Sequence, residues 1–195
     1  KWNDNFNEIL NSLDNFVKQG KIRNIGISNE KSWRAMRYIE ESKKSNLPRA
    51  VTIQNAYSLL NRPFEGDLAE ISIREGLGLL AYSPLGFGVL TGKYINGTAN
   101  KDSRLKLFPR FSRYSSLEAT NATKEYLKIA RDNSLSLTQM SLAFVNQQPF
   151  VTSNIIGATN LTQLAENISS IEVNLSEEIL TKINVIHSKI PNPSP

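Results

Sequence analysis

The chain has 195 residues, enough to bury about 70% of its extended surface in one domain, and 39% of the residues are hydrophobic and 21% charged, as in globular proteins. It has no cysteine and one histidine, which excludes disulfides, thiolate nucleophiles, iron–sulfur clusters and cysteine-based or multi-histidine metal sites. Its net charge of +5 comes from basic residues interleaved with acids, and no apolar run approaches the roughly 18 residues of a membrane span, so we expect a cytoplasmic protein with no nucleic-acid or membrane partner.

The first half of the chain alternates between helical and extended patterns. Apolar residues spaced three and four apart over 6–17 indicate an amphipathic helix that ends near Gly20. We expect Asn29 to cap the second helix. The inward side chains of that helix are predicted to be Trp33, Met36 and Ile39. The predicted strands and the remaining helix of this half are a strand over 22–28, a strand over 51–54, a helix over 64–74 and a strand over 77–82.

The second half is predicted to be mainly helical, after an excursion rich in glycine, lysine and arginine. Its predicted elements are helices over 117–132 and 137–147, a strand over 154–157, and helices over 161–169 and 177–188. The proline-rich tail over 191–195 cannot continue a helix, so we expect an irregular end.

Strands that alternate with helices favour a parallel α/β sheet, because a parallel neighbour is reached by a long return that is usually helical. Two architectures fit four such strands. One is an open doubly wound sheet, and the other is half of an eight-stranded (β/α)8 barrel. Periodicity leaves both open.

Glycines follow the third predicted strand. Gly86, Gly88 and Gly92 invite comparison with the Gly-x-Gly-x-x-Gly dinucleotide fingerprint, but the last spacing is one residue too long. They are either ordinary turn residues or small residues that let the backbone approach a pyrophosphate. In the second case Lys93 and Arg104 would supply positive charge.

The segment 160–167 is typical of a capped helix start just after a strand, a geometry that offers free backbone N–H groups to an anion. Gln163 and Asn167 would share one face of that helix, which is either a solvated polar face or part of a ligand site. No nucleophile or acid forms a specific catalytic set with His187.

Four separated segments resemble the aldo-keto reductases, in the family's order. They are GKIRNIGISN (20–29), TIQNAYSLLNR (52–62), LAYSPLG with LTGKY (80–94), and IGAT with QLAEN (156–167). They resemble the signatures of the fifth to eighth strands and look closest to the branch of Tas-type reductases and potassium-channel β subunits. The resemblance implies a (β/α)8 TIM barrel, of which this chain supplies roughly strands 5–8 and their helices as a single partial domain over 1–195.

The resemblance also implies an NADP(H) site. Ser28, Asn29 and Gln54 would bind the nicotinamide carboxamide, and Tyr82 would stack on the ring. The turn after Tyr82 would line the phosphates, with charge-assisted bonds from lysine and arginine, and the eighth-strand segment would hold the adenosine end. The implied residues are Ser28, Asn29, Gln54, Tyr82, Ser83, Pro84, Leu85, Gly86, Lys93, Arg104, Gly157, Thr159, Gln163, Glu166 and Asn167. Taken singly, each is equally an ordinary turn or cap residue.

The activity that the resemblance implies is reduction of aldehydes or ketones to alcohols. The family's catalytic Asp, Tyr, Lys and His lie on the first four strands, so no catalytic residue is assigned here and we expect this chain alone to be inactive. Its expected partners are a small carbonyl substrate and the missing N-terminal half of the barrel. Two alternatives stay open: an NADP(H)-binding regulatory subunit of the channel-β type without turnover, and a half barrel that pairs with itself as a homo-oligomer.

Overall fold

The computed structural model describes residues 5–109 and 112–194. It divides the chain into two compact units, and both are discontinuous in sequence. The first unit runs to Asn55 and includes Phe64–Leu80, and the second combines Ala56–Pro63 with the chain from Ala81 onward. The single partial domain over 1–195 stays a prediction, and Pro195 of the predicted tail lies outside the described residues.

The first unit alternates helices and strands. Its elements are α1 (Phe6–Lys18), β1 (Ile25–Ser28), α2 (Ser32–Ser45), β2 (Ala50–Ala56, whose last residue belongs to the second unit), a 3-10 turn (Pro63–Glu65, whose first residue belongs to the second unit), α3 (Asp67–Glu75) and the start of β3 (Gly78–Tyr82). Strands β1 and β2 are parallel, with Ile27 opposite Ile53 and Ser28 opposite Gln54. Phe6 of α1 lies edge-on to Tyr38 of α2, with ring centroids 4.8 Å apart, which joins the two helices in the core.

The second unit is mainly helical. Its elements after β3 are a 3-10 segment (Gly86–Thr91), α4 (Arg104–Leu107), a 3-10 turn (Ser112–Tyr114), α5 (Leu117–Asp132), α6 (Leu137–Asn146), β4 (Val151–Asn154), α7 (Leu161–Ser169), a 3-10 turn (Ser170–Glu172) and α8 (Glu177–Lys189). The fully buried Tyr57 packs between Phe144 and Phe150, with centroid distances of 6.0 and 5.3 Å. Burying rings of this size stabilises the unit by about 1.5–3 kcal/mol each.

The strands are ordered β1-β2-β3-β4 in the sheet, which is their order along the chain. A doubly wound sheet reverses its strand order at a switch point, whereas successive strands of a barrel follow one another. The α/β fold is therefore consistent with part of a (β/α)8 barrel. Within the described ranges, no helix is long and apolar enough to cross a membrane.

Three local expectations are wrong: the cap of α2, the inward position of one of its side chains, and the bounds of β4. Asn29 does not cap α2: its backbone is left-handed, with φ 55°, its N–H donates to the Gln54 carbonyl, and the N-cap is Lys31. Helix α2 begins at Ser32, and of its three side chains that were expected to point inward, Ile39 is buried, Met36 is half-buried and Trp33 is 58% exposed. Strand β4 ends at Asn154, where the predicted strand begins.

The tail is irregular, as expected, but it is bound closely to the second unit. The Asn192 side chain accepts a hydrogen bond from the Arg62 backbone amide at 2.7 Å. Ser194 makes two hydrogen bonds with the residues before Arg62: its N–H donates to the Leu60 carbonyl, and its carbonyl accepts from the Asn61 side chain. The Pro193 carbonyl accepts from the side chain of Ser116, the N-cap of α5. The tail therefore fixes the loop that follows β2.

Candidate cofactor-binding site

The turn after β3, Ser83–Gly88, has an unusual backbone. Four of its residues have positive φ: Ser83 at 55°, Gly86 at 51°, Phe87 at 56° and Gly88 at 87°. Two hydrogen bonds close it, from the Gly86 amide to the Ser83 carbonyl and from the Gly88 amide to the Leu85 carbonyl, both 2.9 Å. Glycine adopts such conformations freely and other residues rarely do, so Ser83 and Phe87 are held by their surroundings.

Two cations lie against this turn. A Cβ atom added at Gly88 would lie 2.9 Å from the Lys93 Nζ atom, so the missing side chain makes room for the ammonium group. The guanidinium of Arg104 stacks over the Phe87 ring at 4.5 Å. Burial lowers the pKa of Lys93, and within the described residues no neighbouring carboxylate offsets that effect. A partly desolvated cation without an acidic partner favours binding of an anion.

Tyr114 supports the turn from the side of the protein interior. Its side chain is 1% exposed, and its ring centroid lies 4.9 Å from that of Phe87 in an edge-to-face arrangement. Burial raises the pKa of its phenol, against smaller opposing effects of the Arg113 charge and a hydrogen bond with Ser83. Tyr82, which ends β3, is half-buried, and Pro84 is buried.

The start of α7 is built around amide side chains. Asn160 caps the helix by accepting from the Gln163 amide at 2.9 Å, and the Gln163 side chain accepts from both the N–H and the hydroxyl of Thr159 at 3.0 Å. Asn167 is 5% exposed and donates to the Gly157 carbonyl at 3.1 Å.

The five residues predicted to hold the adenosine end have different contacts in the structure. Thr159 and Gln163 are exposed at the helix start, whereas Asn167 fixes the loop beneath it. Glu166 accepts from the hydroxyl of Ser136 at 2.5 Å, which ties α7 to the start of α6. The capped helix start is confirmed, but Gln163 and Asn167 do not form one solvated face.

In the first unit, the structure brings Ser28, Asn29 and Gln54 together where β1 and β2 end. The Ser28 hydroxyl donates to the Gln54 carbonyl at 3.2 Å, and the Asn29 side chain donates to the Ser28 hydroxyl at 3.1 Å. The left-handed backbone of Asn29 turns its N–H back onto the Gln54 carbonyl at 3.0 Å. The three residues thus form one polar group, and their role in binding stays a prediction.

A comparison with known proteins decides the family. The model of the aldo/keto reductase family matches residues 2–187, nearly the whole chain. The chain belongs to the aldo/keto reductase family.

Three relatives illustrate the match. Protein tas of Escherichia coli K12 is 50% identical over 188 residues, which cover 96% of this chain and 54% of that protein. An aldo-keto reductase of Babesia bovis is 35% identical over 192 residues, 94% of this chain and 67% of that protein. A probable voltage-gated potassium channel subunit beta of rice is 34% identical over 167 residues, 80% and 51%. The chain thus spans about half to two thirds of the relatives' length.

Sequence reasoning about this aldo/keto reductase chain missed the aromatic residues at the turn. Phe87 stood between two glycines and was passed over, and Tyr114 lies in the excursion far from the turn in sequence. The one local signal was the pair of basic residues, Lys93 and Arg104, whose charge suggested an anion. No pattern in the sequence shows that the Arg104 guanidinium lies over the Phe87 ring.

Proposed function

We propose that this chain is the cofactor-binding part of an NADP(H)-dependent oxidoreductase that reduces aldehydes or ketones to alcohols. The observation that carries the proposal is the turn at the end of β3, which has four residues with positive φ and the cations of Lys93 and Arg104 beside it, in a chain of the aldo/keto reductase family. A pyrophosphate is bound by accessible backbone N–H groups and by charge-assisted hydrogen bonds from lysine and arginine. Since the chain spans only part of its relatives, the activity of the whole protein is part of this proposal.

NADPH would supply a hydride when bound, and the residues of this chain would hold and orient it. In this proposal Lys93 and Arg104 bind phosphate oxygens beside Ser83–Gly88, and Thr159 and Gln163 bind the adenosine side. Ser28, Asn29 and Gln54 are proposed to bind the carboxamide, and Tyr82 to stack on the ring. Leu85, Gly86 and Gly157 would contribute backbone atoms, because a site for a planar or anionic group uses backbone N–H and C=O groups where side chains leave room.

We assign the proton donor to no residue of this chain. The proposed catalytic residues belong to the first four strands of the barrel, which a partner segment of the parent protein would supply. In the described chain β1 and β4 each have one strand neighbour, so each offers an open edge to such a segment. We further propose a cytoplasmic location and a small carbonyl compound as the substrate.

A fluorescence titration tests the cofactor proposal. The full-length gene product that contains this chain is titrated with NADPH and with NADH, as wild type and as Lys93→Met and Arg104→Met. Lys124→Met, which removes an exposed charge on α5, is the matched control. Each site variant is expected to weaken NADPH binding by about tenfold or more, the loss of one charge-assisted bond to a phosphate, while Lys124→Met leaves it unchanged. Equal affinity in all four proteins contradicts the site.

A regulatory subunit is the second candidate, favoured by the similarity to the rice protein named as a potassium channel subunit beta. In that case the protein would bind the dinucleotide and report its redox state to a partner. Loss of NADPH absorbance with a panel of aldehydes and ketones separates the two. Turnover supports the reductase, and tight binding without turnover supports the regulatory subunit.

A homo-oligomer of half barrels is also testable. Light scattering on the 195-residue chain shows a dimer or larger species if two copies cover each other's strand edges. A clean monomer contradicts self-pairing and leaves the N-terminal half as the proposed partner.

A further inference from the structure

The turn Ser83–Gly88 must be held in place by something other than its own sequence. Ser83 and Phe87 both have a left-handed backbone, which is costly for residues with a side chain and persists only where the surrounding structure imposes it. The two closing hydrogen bonds are local to the turn, so they do not fix where it lies.

Tyr114 contacts the turn at several points. A Cβ atom added at Gly86 would lie 3.1 Å from its Cδ1 atom and 3.4 Å from its Cε1 atom, so the ring packs directly on the glycine. The same ring packs edge-to-face on Phe87 with a centroid distance of 4.9 Å. Phe87 in turn carries the guanidinium of Arg104 on its ring at 4.5 Å. One buried side chain thus connects the backbone of the turn with a phosphate-binding candidate.

The position of Tyr114 is itself well determined. The residue is almost completely buried and ends a 3-10 turn two residues before Ser116, the N-cap of α5. The Ser116 side chain accepts from the Ala119 amide at 3.0 Å and donates to the Pro193 carbonyl at 3.2 Å. Tyr114 therefore lies two residues before a helix start that its own cap and the tail hold, while its ring and its hydroxyl contact the turn.

We propose that Tyr114 is a positioning residue that holds the turn Ser83–Gly88 in its left-handed conformation and, through Phe87, holds Arg104 in place to bind the dinucleotide phosphates. The second part of this inference rests on the proposed function. The first part concerns the free protein and stands independently of any ligand.

Two variants of Tyr114 test the inference. Tyr114→Leu removes the ring, and Tyr114→Phe keeps the ring and removes the hydroxyl. Tyr38→Leu in the first unit is the matched control, because Tyr38 is also buried and also packs edge-to-face on a phenylalanine, at 4.8 Å. Amide hydrogen exchange over 83–90 is measured without cofactor, and NADPH affinity is measured by titration of the full-length protein.

Tyr114→Leu is expected to accelerate exchange over 83–90 and to weaken NADPH binding by about tenfold, the change that corresponds to releasing one strained residue. Tyr114→Phe keeps the ring contacts with Gly86 and Phe87 but loses the hydrogen bond of the hydroxyl with Ser83. Its affinity is therefore expected to fall by less than that of Tyr114→Leu and to stay within about threefold of wild type. Tyr38→Leu lowers the melting temperature but changes neither the exchange over 83–90 nor the affinity. Unchanged exchange over 83–90 in Tyr114→Leu overturns the inference.

Gly86→Ala supplies an independent check in the free protein. An added methyl group meets the Tyr114 ring at 3.1 Å and also strains a backbone at φ 51°. The steric part of this effect depends on the ring, so Gly86→Ala should destabilise the wild type more than it destabilises Tyr114→Leu. Equal effects in both backgrounds contradict packing of the ring on the turn. A wild type that binds neither NADPH nor NADH refutes the proposed function, whereas the exchange and stability results still decide the role of Tyr114.

Discussion

Replacing Gly88 with alanine has two expected effects: it strains the backbone, which lowers stability, and it displaces the Lys93 side chain, which lowers affinity for the cofactor. At φ 87° an alanine is strained in any environment, by roughly 1–2 kcal/mol. The new Cβ atom would also lie 2.9 Å from Nζ and Cε of Lys93. Since these atoms are the far end of a flexible side chain, they move aside at little cost in stability, but the ammonium group then leaves the turn.

Gly97→Ala is the matched control, because Gly97 has φ 71° and open space around its Cβ position. Both variants are expected to lose about 1–2 kcal/mol of unfolding free energy, which lowers the melting temperature by roughly 2–8 °C for a protein of this size. Only Gly88→Ala is expected to weaken NADPH binding, by about tenfold, the value of one charge-assisted hydrogen bond. The assays are thermal unfolding and fluorescence titration. Equal NADPH affinity in the two variants would refute the argument that the position of Lys93 matters.

Three further predictions concern other parts of the second unit. Asn192→Ala removes the acceptor of the Arg62 amide, so the free energy of unfolding measured in urea should decrease by about 1–3 kcal/mol. A decrease smaller than the error of the measurement contradicts the anchoring of the tail. Burial lowers the pKa of Lys93, and a phosphate binds its ammonium form. Fluorescence titration should therefore show full NADPH affinity below that pKa and a decrease in affinity as the pH rises through it. In Lys93→Met this decrease at alkaline pH should be absent. Ser136→Ala removes both the N-cap of α6 and the hydrogen-bond donor to Glu166, so the free energy of unfolding measured in urea should decrease by about 0.5–2 kcal/mol. The control Ser188→Ala, which removes only an exposed bond within α8, should cause a smaller decrease.

Helices with a side-chain cap were the easiest elements to predict from the sequence. The bounds predicted for α5 and α7 agree with the structure, since Ser116 and Asn160 each accept a hydrogen bond from the first turn. The start of α2 was misplaced because its cap, Lys31, makes no such bond and leaves no mark in the sequence. Strand β4 was placed too late because Ile155 and Ile156 are apolar, whereas the regular strand ends at Asn154 and Ile155 adds one hydrogen bond from its amide to the Ala81 carbonyl.

The candidate site was predictable where charge or family resemblance pointed to it. Lys93 and Arg104 are recognisable as cations next to a glycine-rich turn in the sequence itself. The contribution of Tyr114 is not, because it depends on a contact between residues 86 and 114 that no local periodicity encodes. The left-handed backbone of Asn29 was equally hidden, since asparagine suits a helix cap as well as this conformation.

The bonds between the tail and the loop after β2 affect when the second unit can finish folding during synthesis. Asn61 and Ser194 are 133 residues apart in sequence, and Arg62 and Asn192 are 130 apart. A ribosome therefore releases the first partner of each pair long before it makes the second. A nascent chain arrested just before Pro191 should keep the Leu60 carbonyl and the Asn61 side chain without their final contacts, and it should be cut by protease near this loop more readily than the released protein.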